Sequence, residues 1–131
     1  QRPMMMEEGI YPIGNPGEDS PVLITANFSL TYFVVSSEIE SSRVPSWLLV
    51  MDTEGLSVLT AWAAGKFGGD VIGAFIKKSG IAEKVKHRRV VIPGTVAVVS
   101  SDLEEELGSE WEVKIGPREA AHIPAYLKMG A

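Results

Sequence analysis

Small polar side chains recur at every second position of "TANFSLT", as Thr25, Asn27, Ser29 and Thr31. Hydroxyl and amide groups donate and accept hydrogen bonds without carrying charge. Such residues can cap a turn or a helix, or they can bind a neutral polar ligand. The secondary-structure elements that hold these residues decide between the two roles. The first of them, Thr25, falls within an apolar run, "PVLITA" at 21–26.

The composition fits one acidic globular domain. The chain has 131 residues, 45% of them hydrophobic, which suits a single domain with one core. With 12 Lys and Arg against 17 Asp and Glu, the net charge is -5. Nucleic-acid phosphates select basic faces, so we expect no nucleic-acid partner. The basic run "KVKHRR" at 84–89 is interpreted as a solvated approach to a strand.

Missing residue types exclude several kinds of site. The chain has no cysteine, which excludes a disulfide, a thiolate zinc site and a cysteine-ligated iron–sulfur cluster within it. The two histidines, His87 and His122, are interpreted as surface or packing residues. No apolar run is long enough to span a bilayer, and the N-terminus lacks a signal-peptide pattern. We expect a cytoplasmic fragment of a longer protein, with no membrane partner.

Strand-like and helix-like segments alternate along most of the chain. Residues 1–20 are rich in proline and glycine and are predicted to form a linker or an extended arm, followed by one α/β domain over 21–131. Strands are predicted at 21–26, 46–52, 88–94 and, nearer an edge, 111–116. Helices are predicted at 28–37, 55–67, 70–80, 96–107 and 117–127.

The segment 28–37 fits two alternatives. Its propensities would allow "FSLTYFVVSS" to continue as strand, whereas Leu30, Phe33 and Val34 fit one helical face. The strand–helix alternation elsewhere favours the helix. The predicted fold class is therefore α/β, a small open mostly parallel sheet with helices on both faces, of the Rossmann or flavodoxin-like kind. Ligands of such folds bind beyond the carboxyl ends of the strands.

Two predicted helices have identifiable end signals. Asp70 is predicted as the N-cap of the helix at 70–80, and Gly80 as its C-terminal stop. Pro117 is predicted in the first turn of the last helix, and Pro124 is predicted to kink or end it.

The predicted strand ends lack the motifs of common catalytic sites. GxGxxG, GxxxxGK[ST] and GxSxG are absent, so we predict no catalytic residue and no metal ligand from the protein. Asp52 resembles the phospho-acceptor of a receiver domain, but helix capping by Asp52 or Thr53 is the preferred interpretation. The small residues of the next helix, Ala61, Ala63, Ala64 and Gly65, fit close helix-to-sheet packing. Equally well, Gly55 and Ser57 could let the backbone approach a large flat ligand.

Over nearly its whole length the sequence resembles a known family. The resemblance runs through "YPIGNPGEDSPVL", "TANFSLTYFVVSSEIESSRVPSWLLVMDTEGLSVLTAWAAGKF", "KHRRVVIPG", "DLEEEL" and "WEVKIGPREAAHIPAYL". It is similar to the C-terminal domain of the large subunit of corrinoid iron–sulfur proteins, whose archaeal counterpart is the gamma subunit of acetyl-CoA decarbonylase/synthase. This implies a cobamide-binding α/β domain. The iron–sulfur domain and central TIM barrel of the full family protein are not in this sequence.

The resemblance implies cobamide contacts for seven residues, namely Thr25, Thr31, Gly55, Leu56, Ser57, Val58 and Ala120. A corrin ring is edged with neutral amide arms, which require hydroxyls and backbone groups. The DxHxxG motif, whose histidine ligates cobalt in other corrinoid domains, is absent. The family binds its cobamide base-off and without a protein histidine, and weak ligation favours the Co(I) form that accepts a methyl group.

The implied function is that of a methyl carrier. A methyltetrahydrofolate or methyltetrahydropterin methyltransferase system would supply the methyl group, and acetyl-CoA synthase would receive it, in the Wood–Ljungdahl pathway. Further implied partners are the small TIM-barrel subunit and a reductive activator. The domain is expected to carry its cofactor without being a catalyst alone. Two alternatives stay open: a docking module that retains little cofactor in isolation and, more remotely, a receiver-like or nucleotide-binding regulatory domain.

Overall fold

A five-stranded, mostly parallel sheet forms the centre of the molecule. The structure is a computed structural model that describes residues 4–130. The strand order across the sheet is β1-β3-β2-β4-β5, and only β1 runs antiparallel to its neighbour. The strands are β1 (Gly9–Ile13), β2 (Val22–Ala26), β3 (Ser46–Met51), β4 (Arg89–Ile92) and β5 (Glu112–Ile115).

Helices cover both faces of this sheet, which confirms the predicted fold class. They are α1 (Ser29–Ser42), α2 (Val58–Ala63), α3 (Gly69–Ser79), α4 (Ser100–Leu107) and α5 (Ile123–Lys128), with 3₁₀ turns at Ile81–Glu83, Gly94–Val99 and Ala120–His122. Successive strand residues point to opposite faces. Leu23 and Leu48 therefore pack under α1 and α5, whereas Ile24, Leu49 and Met51 pack under α2, α3 and α4.

All four predicted strands are present, and β5 lies at an edge as expected. The segment 28–37 is helical, as the alternation favoured, and α1 extends to Ser42. Buried Ile39 continues its inward face.

The structure differs from the prediction for residues 1–20, because residues 9–13 form strand β1. This strand pairs with β3, from Gly9 opposite Val50 to Ile13 opposite Ser46. Pro12 has no N–H to donate, and proline in sheets is largely confined to edge strands such as this one. Glycine and proline are rare in strands, so Gly9 and Pro12 argued against a strand here. The partner strand β3, which stabilises β1, lies far along the chain.

Several predicted helix ends are wrong. Gly68, not Asp70, is the N-cap of α3. Asp70 lies in the first turn, where a carboxylate interacts favourably with the positive end of the helix dipole. Gly80 ends α3 with a φ of 84°, as expected. Pro117 lies in a loop, and Pro124 instead occupies the first turn of α5.

Two predicted helices are shorter than expected. The segment 96–107 begins as a 3₁₀ turn, because its β-branched residues are weak helix formers, and α4 starts only at Ser100. Within 55–67, α2 ends at Ala63, and Gly65 follows with a φ of 76°. No helix among residues 4–130 is long and apolar enough to cross a bilayer.

Candidate functional site

A cavity of about 160 Å³ opens at the carboxyl edge of the sheet. It lies between the ends of β2 and β4, helix α1 and the segment after β5. The lining is mostly apolar with three threonines, and consists of Leu23, Ile24, Thr25, Thr31, Val35, Val58, Val91, Ile92, Pro93, Thr95, Gly116, Pro117, Arg118, Ala120 and Ile123.

Four of the seven residues with predicted cofactor contacts line this cavity together. Thr25 comes from β2, Thr31 from the first turn of α1, Val58 from the start of α2, and Ala120 from the turn before α5. The fold therefore brings residues from four separate elements to one place. Gly55, Leu56 and Ser57 do not line the cavity but form the loop that leads into Val58.

The hydroxyl group of Thr25 is buried and has no hydrogen-bond partner among residues 4–130. The residue is 1% exposed, and its Oγ1 makes no hydrogen bond to the part of the chain that the structure describes. Leaving a buried hydroxyl unpaired costs about 1–3 kcal/mol, so native proteins rarely keep one. An unpaired hydroxyl in a cavity lining marks a place where a ligand group could complete the hydrogen bond.

The loop after β3 has an unusual backbone. Glu54 and Gly55 have φ values of 58° and 80°, and the left-handed region is uncommon for a non-glycine residue such as Glu54. Neither Asp52 nor Thr53 caps α2, whose N-cap is Ser57. Instead Asp52 Oδ1 accepts a hydrogen bond from Glu54 N at 2.8 Å, which closes a local turn.

Sequence reasoning missed a central role for Asn27, which is 2% exposed. Its Oδ1 accepts hydrogen bonds from Thr53 N at 2.9 Å and from Gly55 N at 3.0 Å. Its Nδ2 donates to Met6 O at 3.0 Å and to Asp52 Oδ1 at 3.2 Å. One feature of the sequence could have indicated this role: Asn27 directly follows the apolar strand β2. An amide buried at such a position needs several hydrogen-bond partners.

Two glycines bring the loops after β4 and β5 together below the cavity. Gly94 N donates to Pro117 O at 3.2 Å, and Gly116 N donates to Ile92 O at 2.9 Å. A Cβ atom at Gly94 would overlap the backbone of Gly116 and Pro117. Only glycine at position 94 permits this approach, which places Arg118 and Ala120 at the cavity.

Arg118 is the one charged residue among the described residues of the cavity lining. Within residues 4–130 it belongs to no salt bridge, and its side chain is exposed. The rest of the lining is neutral, so this site suits a largely uncharged ligand with an anionic group at its margin.

Several exposed apolar side chains lie near cavity-lining residues along the chain, and we call them the apolar rim. Each lies within four residues of a residue that lines the cavity; they are Leu30, Phe33, Val34, Leu59, Trp62 and Val98. Clustered exposed apolar groups mark binding surfaces for ligands or proteins. These six exposed side chains are therefore candidates for binding contacts beyond those of the cavity lining.

The histidines lie outside the cavity lining, as expected for surface or packing residues. His87 Nε2 lies 2.7 Å from Ser20 O, and His87 Nδ1 accepts a hydrogen bond from Arg89 N at 3.1 Å. His122 is exposed. Across residues 4–130 no group of three or more His, Cys, Asp or Glu side chains could hold a metal ion.

The sequence matches one protein-family model and several well-described relatives. The model, described as "CO dehydrogenase/acetyl-CoA synthase delta subunit", covers residues 1–127. The corrinoid/iron-sulfur protein large subunit of Moorella thermoacetica is 52% identical over 98% of this chain. Acetyl-CoA decarbonylase/synthase gamma subunits of Methanopyrus kandleri and Methanocaldococcus jannaschii are 43% and 40% identical, each over 98% of the chain.

The chain spans about a quarter of the length of these relatives, or 28%, 27% and 26% of them. The family model carries the name of the delta subunit, whereas these relatives are large or gamma subunits. The relatives are themselves large or gamma subunits, at 52% and 43% identity over 98% of the chain, and they therefore indicate the subunit type. The chain thus belongs to the CO dehydrogenase/acetyl-CoA synthase subunit family, as a domain-sized part similar to the large (gamma) subunit of corrinoid/iron–sulfur proteins.

Proposed function

We propose that the chain is the cobamide-binding domain of a methyl carrier, corresponding to the C-terminal corrinoid domain of its large-subunit relatives. The observation that carries this proposal is the buried Thr25 hydroxyl, unpaired among the described residues, in a mostly uncharged cavity at the carboxyl edge of the sheet. The word "corrinoid" in the name of the relative at 52% identity supports the choice of ligand.

The donor set of the site fits a corrinoid. Its amide arms are neutral hydrogen-bonding groups, three threonines line the cavity, and a glycine-containing loop leads into it. At about 160 Å³ the cavity is smaller than the 300–1,000 Å³ typical of whole small-molecule sites. Part of a corrinoid would therefore occupy the cavity, and the remainder would contact the apolar rim.

When bound, a cobamide supplies a cobalt centre that accepts and donates a methyl group. The contribution of this chain is to bind and orient that group. Thr25 and Thr31 would offer hydroxyls, and Val58 and Ala120 apolar contact. Gly55, Leu56 and Ser57 would hold the loop beside it. Because no histidine is among the described residues of the lining, this lining offers cobalt no imidazole ligand, in line with a base-off cofactor.

The wider role follows the names of the relatives, which are subunits of acetyl-CoA decarbonylase/synthase. We propose that a methyltetrahydrofolate or methyltetrahydropterin methyltransferase supplies the methyl group and acetyl-CoA synthase receives it, in the cytoplasm. A small TIM-barrel subunit and a reductive activator complete the set of proposed partners. The chain has no cysteine, so it cannot itself ligate a cluster through thiolates.

Titration with hydroxocobalamin tests the proposal. We expect the parent chain to bind it, and Thr25→Val to weaken binding about fivefold to tenfold, since a lost hydrogen bond of about 1–1.4 kcal/mol corresponds to that range. Thr31→Val should weaken it as well. Thr25→Ser, which keeps the hydroxyl, is the matched control. Equal affinity of the parent and both valine variants would refute the site assignment.

The apolar rim favours a second candidate, a docking module for a subunit or activator. Its six side chains are large, apolar and exposed, and exposed apolar surface is a common mark of protein interfaces. A parent chain that takes up no cobalamin but forms a stable complex with the small subunit would support this candidate over the first.

A further inference from the structure

We propose that Asn27 is a positioning residue that links the N-terminal segment at residues 4–8 to the loop at residues 52–58. Through this link, ordering of the segment and binding of ligand at the cavity favour each other. The inference rests on the proposed function for the identity of the ligand, but the link itself is a property of this chain.

The loop side of the link is the oxygen of the Asn27 amide. Thr53 N and Gly55 N both donate to it, at 2.9 and 3.0 Å. The Thr53 hydroxyl lies 3.0 Å from the same oxygen and 2.7 Å from Leu56 O. These contacts fix the two left-handed residues, Glu54 and Gly55, just before Val58 enters the cavity lining.

The segment side of the link is the nitrogen of the same amide and the main chain of Asn27. Nδ2 donates to Met6 O at 3.0 Å, and Met6 N donates back to Asn27 O at 2.8 Å. Ser29 N donates to Met4 O at 3.0 Å, so residues 4–6 run antiparallel to residues 27–29, with Met5 bridged to Phe28. The segment thus covers the junction between β2 and α1.

A second contact ties the same two segments together. Asp52 N donates to Glu8 Oε2 at 3.0 Å, and Glu8 Oε1 lies 3.3 Å from Lys78 Nζ. The loop after β3 is therefore held by the N-terminal segment at Asp52 and by Asn27 at Thr53 and Gly55.

The orientation of the Asn27 amide couples the two sides. Two backbone N–H donors converge on Oδ1, and a carbonyl and a carboxylate oxygen face Nδ2, so a flipped amide would lose partners on both sides at once. Anything that stabilises the loop conformation also stabilises the segment. By thermodynamic linkage, the effect of the segment on ligand binding must equal the effect of ligand on the segment.

Asn27→Asp in the full chain tests the link with the smallest change of shape. The ionised carboxylate of this variant keeps the oxygen that binds the loop but loses the donor to Met6 O, and it repels the neighbouring Asp52. We expect hydroxocobalamin affinity at pH 7 to fall about tenfold to a hundredfold, the range for a buried polar group left unpaired. Asn15→Asp, at an exposed asparagine, introduces the same charge and is the control.

The pH dependence separates positioning from a general structural role. Once protonated, the carboxyl group of the Asn27→Asp variant regains both a donor and an acceptor. The affinity deficit relative to the parent at the same pH should therefore shrink as pH falls toward about 4. A deficit that is unchanged between about pH 7 and about pH 4.5 would contradict the role of the amide donor.

Amide hydrogen exchange of residues 4–8 measures the link directly. In the parent, hydroxocobalamin should slow exchange in this segment severalfold, and in Asn27→Asp at pH 7 it should not. Without any ligand, Gly55→Ala, which strains the loop at a φ of 80°, should speed exchange in residues 4–8. The result with Gly55→Ala decides the link even if the parent binds no cobalamin, an outcome that would refute only the proposed function. Unchanged exchange in that variant would overturn the link.

Discussion

At the residue scale, the candidate site depends on the hydroxyl of Thr25 and the side-chain amide of Asn27, which differ in whether they have hydrogen-bond partners. Thr25 is buried with its hydroxyl unpaired among the described residues, whereas both polar atoms of the Asn27 side chain have partners. The unpaired Thr25 hydroxyl lowers the stability of the unliganded chain, and a ligand that bonds to it would remove this penalty. The hydrogen bonds of Asn27 instead hold the surrounding backbone in place. Binding and stability should therefore respond differently to substitutions at these two residues.

Thr25→Val should stabilise the unliganded chain. The substitution conserves shape and replaces an unpaired buried hydroxyl with a methyl group, so we expect the free energy of unfolding to rise by about 1 kcal/mol. Urea denaturation of the parent and the variant measures this change. A lower unfolding free energy for the variant would mean that the protein itself satisfies the hydroxyl.

Arg118 should distinguish corrinoids with and without a phosphate. It is the one charged residue in the described cavity lining, and a cobamide carries a phosphodiester in its nucleotide tail, which cobinamide lacks. We expect Arg118→Gln to weaken cobalamin binding about twofold to fivefold, as for an exposed ion pair, and to leave cobinamide binding unchanged. Arg118→Lys retains the charge and serves as control. Equal losses for both ligands would exclude a phosphate contact.

At the element scale, strands β2 to β5 and helix α1 could be predicted from the sequence. Strand β1 and the exact ends of several helices could not. Apolar runs and the alternation of strand with helix are local signals, and they indicated the four strands from β2 to β5. Pairing of β1 with β3 joins residues far apart along the chain, such as Gly9 and Val50, which no local pattern reveals. The same limit hid the role of Asn27, because its partners Thr53 and Gly55 come from another strand's loop.

Strand β1 should loosen at alkaline pH. Burial, the neighbouring Tyr32 and then Glu7 raise the pKa of Tyr11 above its ordinary value of 10.0. Its hydroxyl donates to Glu7 O at 2.7 Å, which ties β1 to the segment before it. A raised pKa in the folded state gives stability that is complete below about pH 10 and is lost as pH rises through the folded pKa.

Thermal unfolding between about pH 9 and about pH 11.5 measures this loss. The melting temperature of the parent should fall above about pH 10, and that of Tyr11→Phe should fall less steeply, since the phenylalanine ring has no group to ionise. Lysine titration affects both proteins alike and cancels in the comparison. Parallel curves for the two proteins would show that Tyr11 does not contribute.

At the scale of the whole molecule, helix α1 exposes large apolar side chains at the surface. Helix α1 is apolar on several sides, with Ile39 packed on the sheet and Leu30, Phe33 and Val34 exposed. A helix of this kind is normally buried on more than one side in its assembly. The chain spans 28% of its Moorella thermoacetica relative. If the proposed function holds, a bound corrinoid would cover part of this surface.

The absorbance spectrum of the chain after incubation with hydroxocobalamin and gel filtration tests the central claim most directly. We predict that the corrinoid elutes with the protein in a base-off form, without a nitrogen ligand from the chain, and that Thr25→Val retains less of it than Thr25→Ser. A colourless protein fraction, or bound corrinoid with the spectrum of nitrogen-ligated cobalt, would contradict the account.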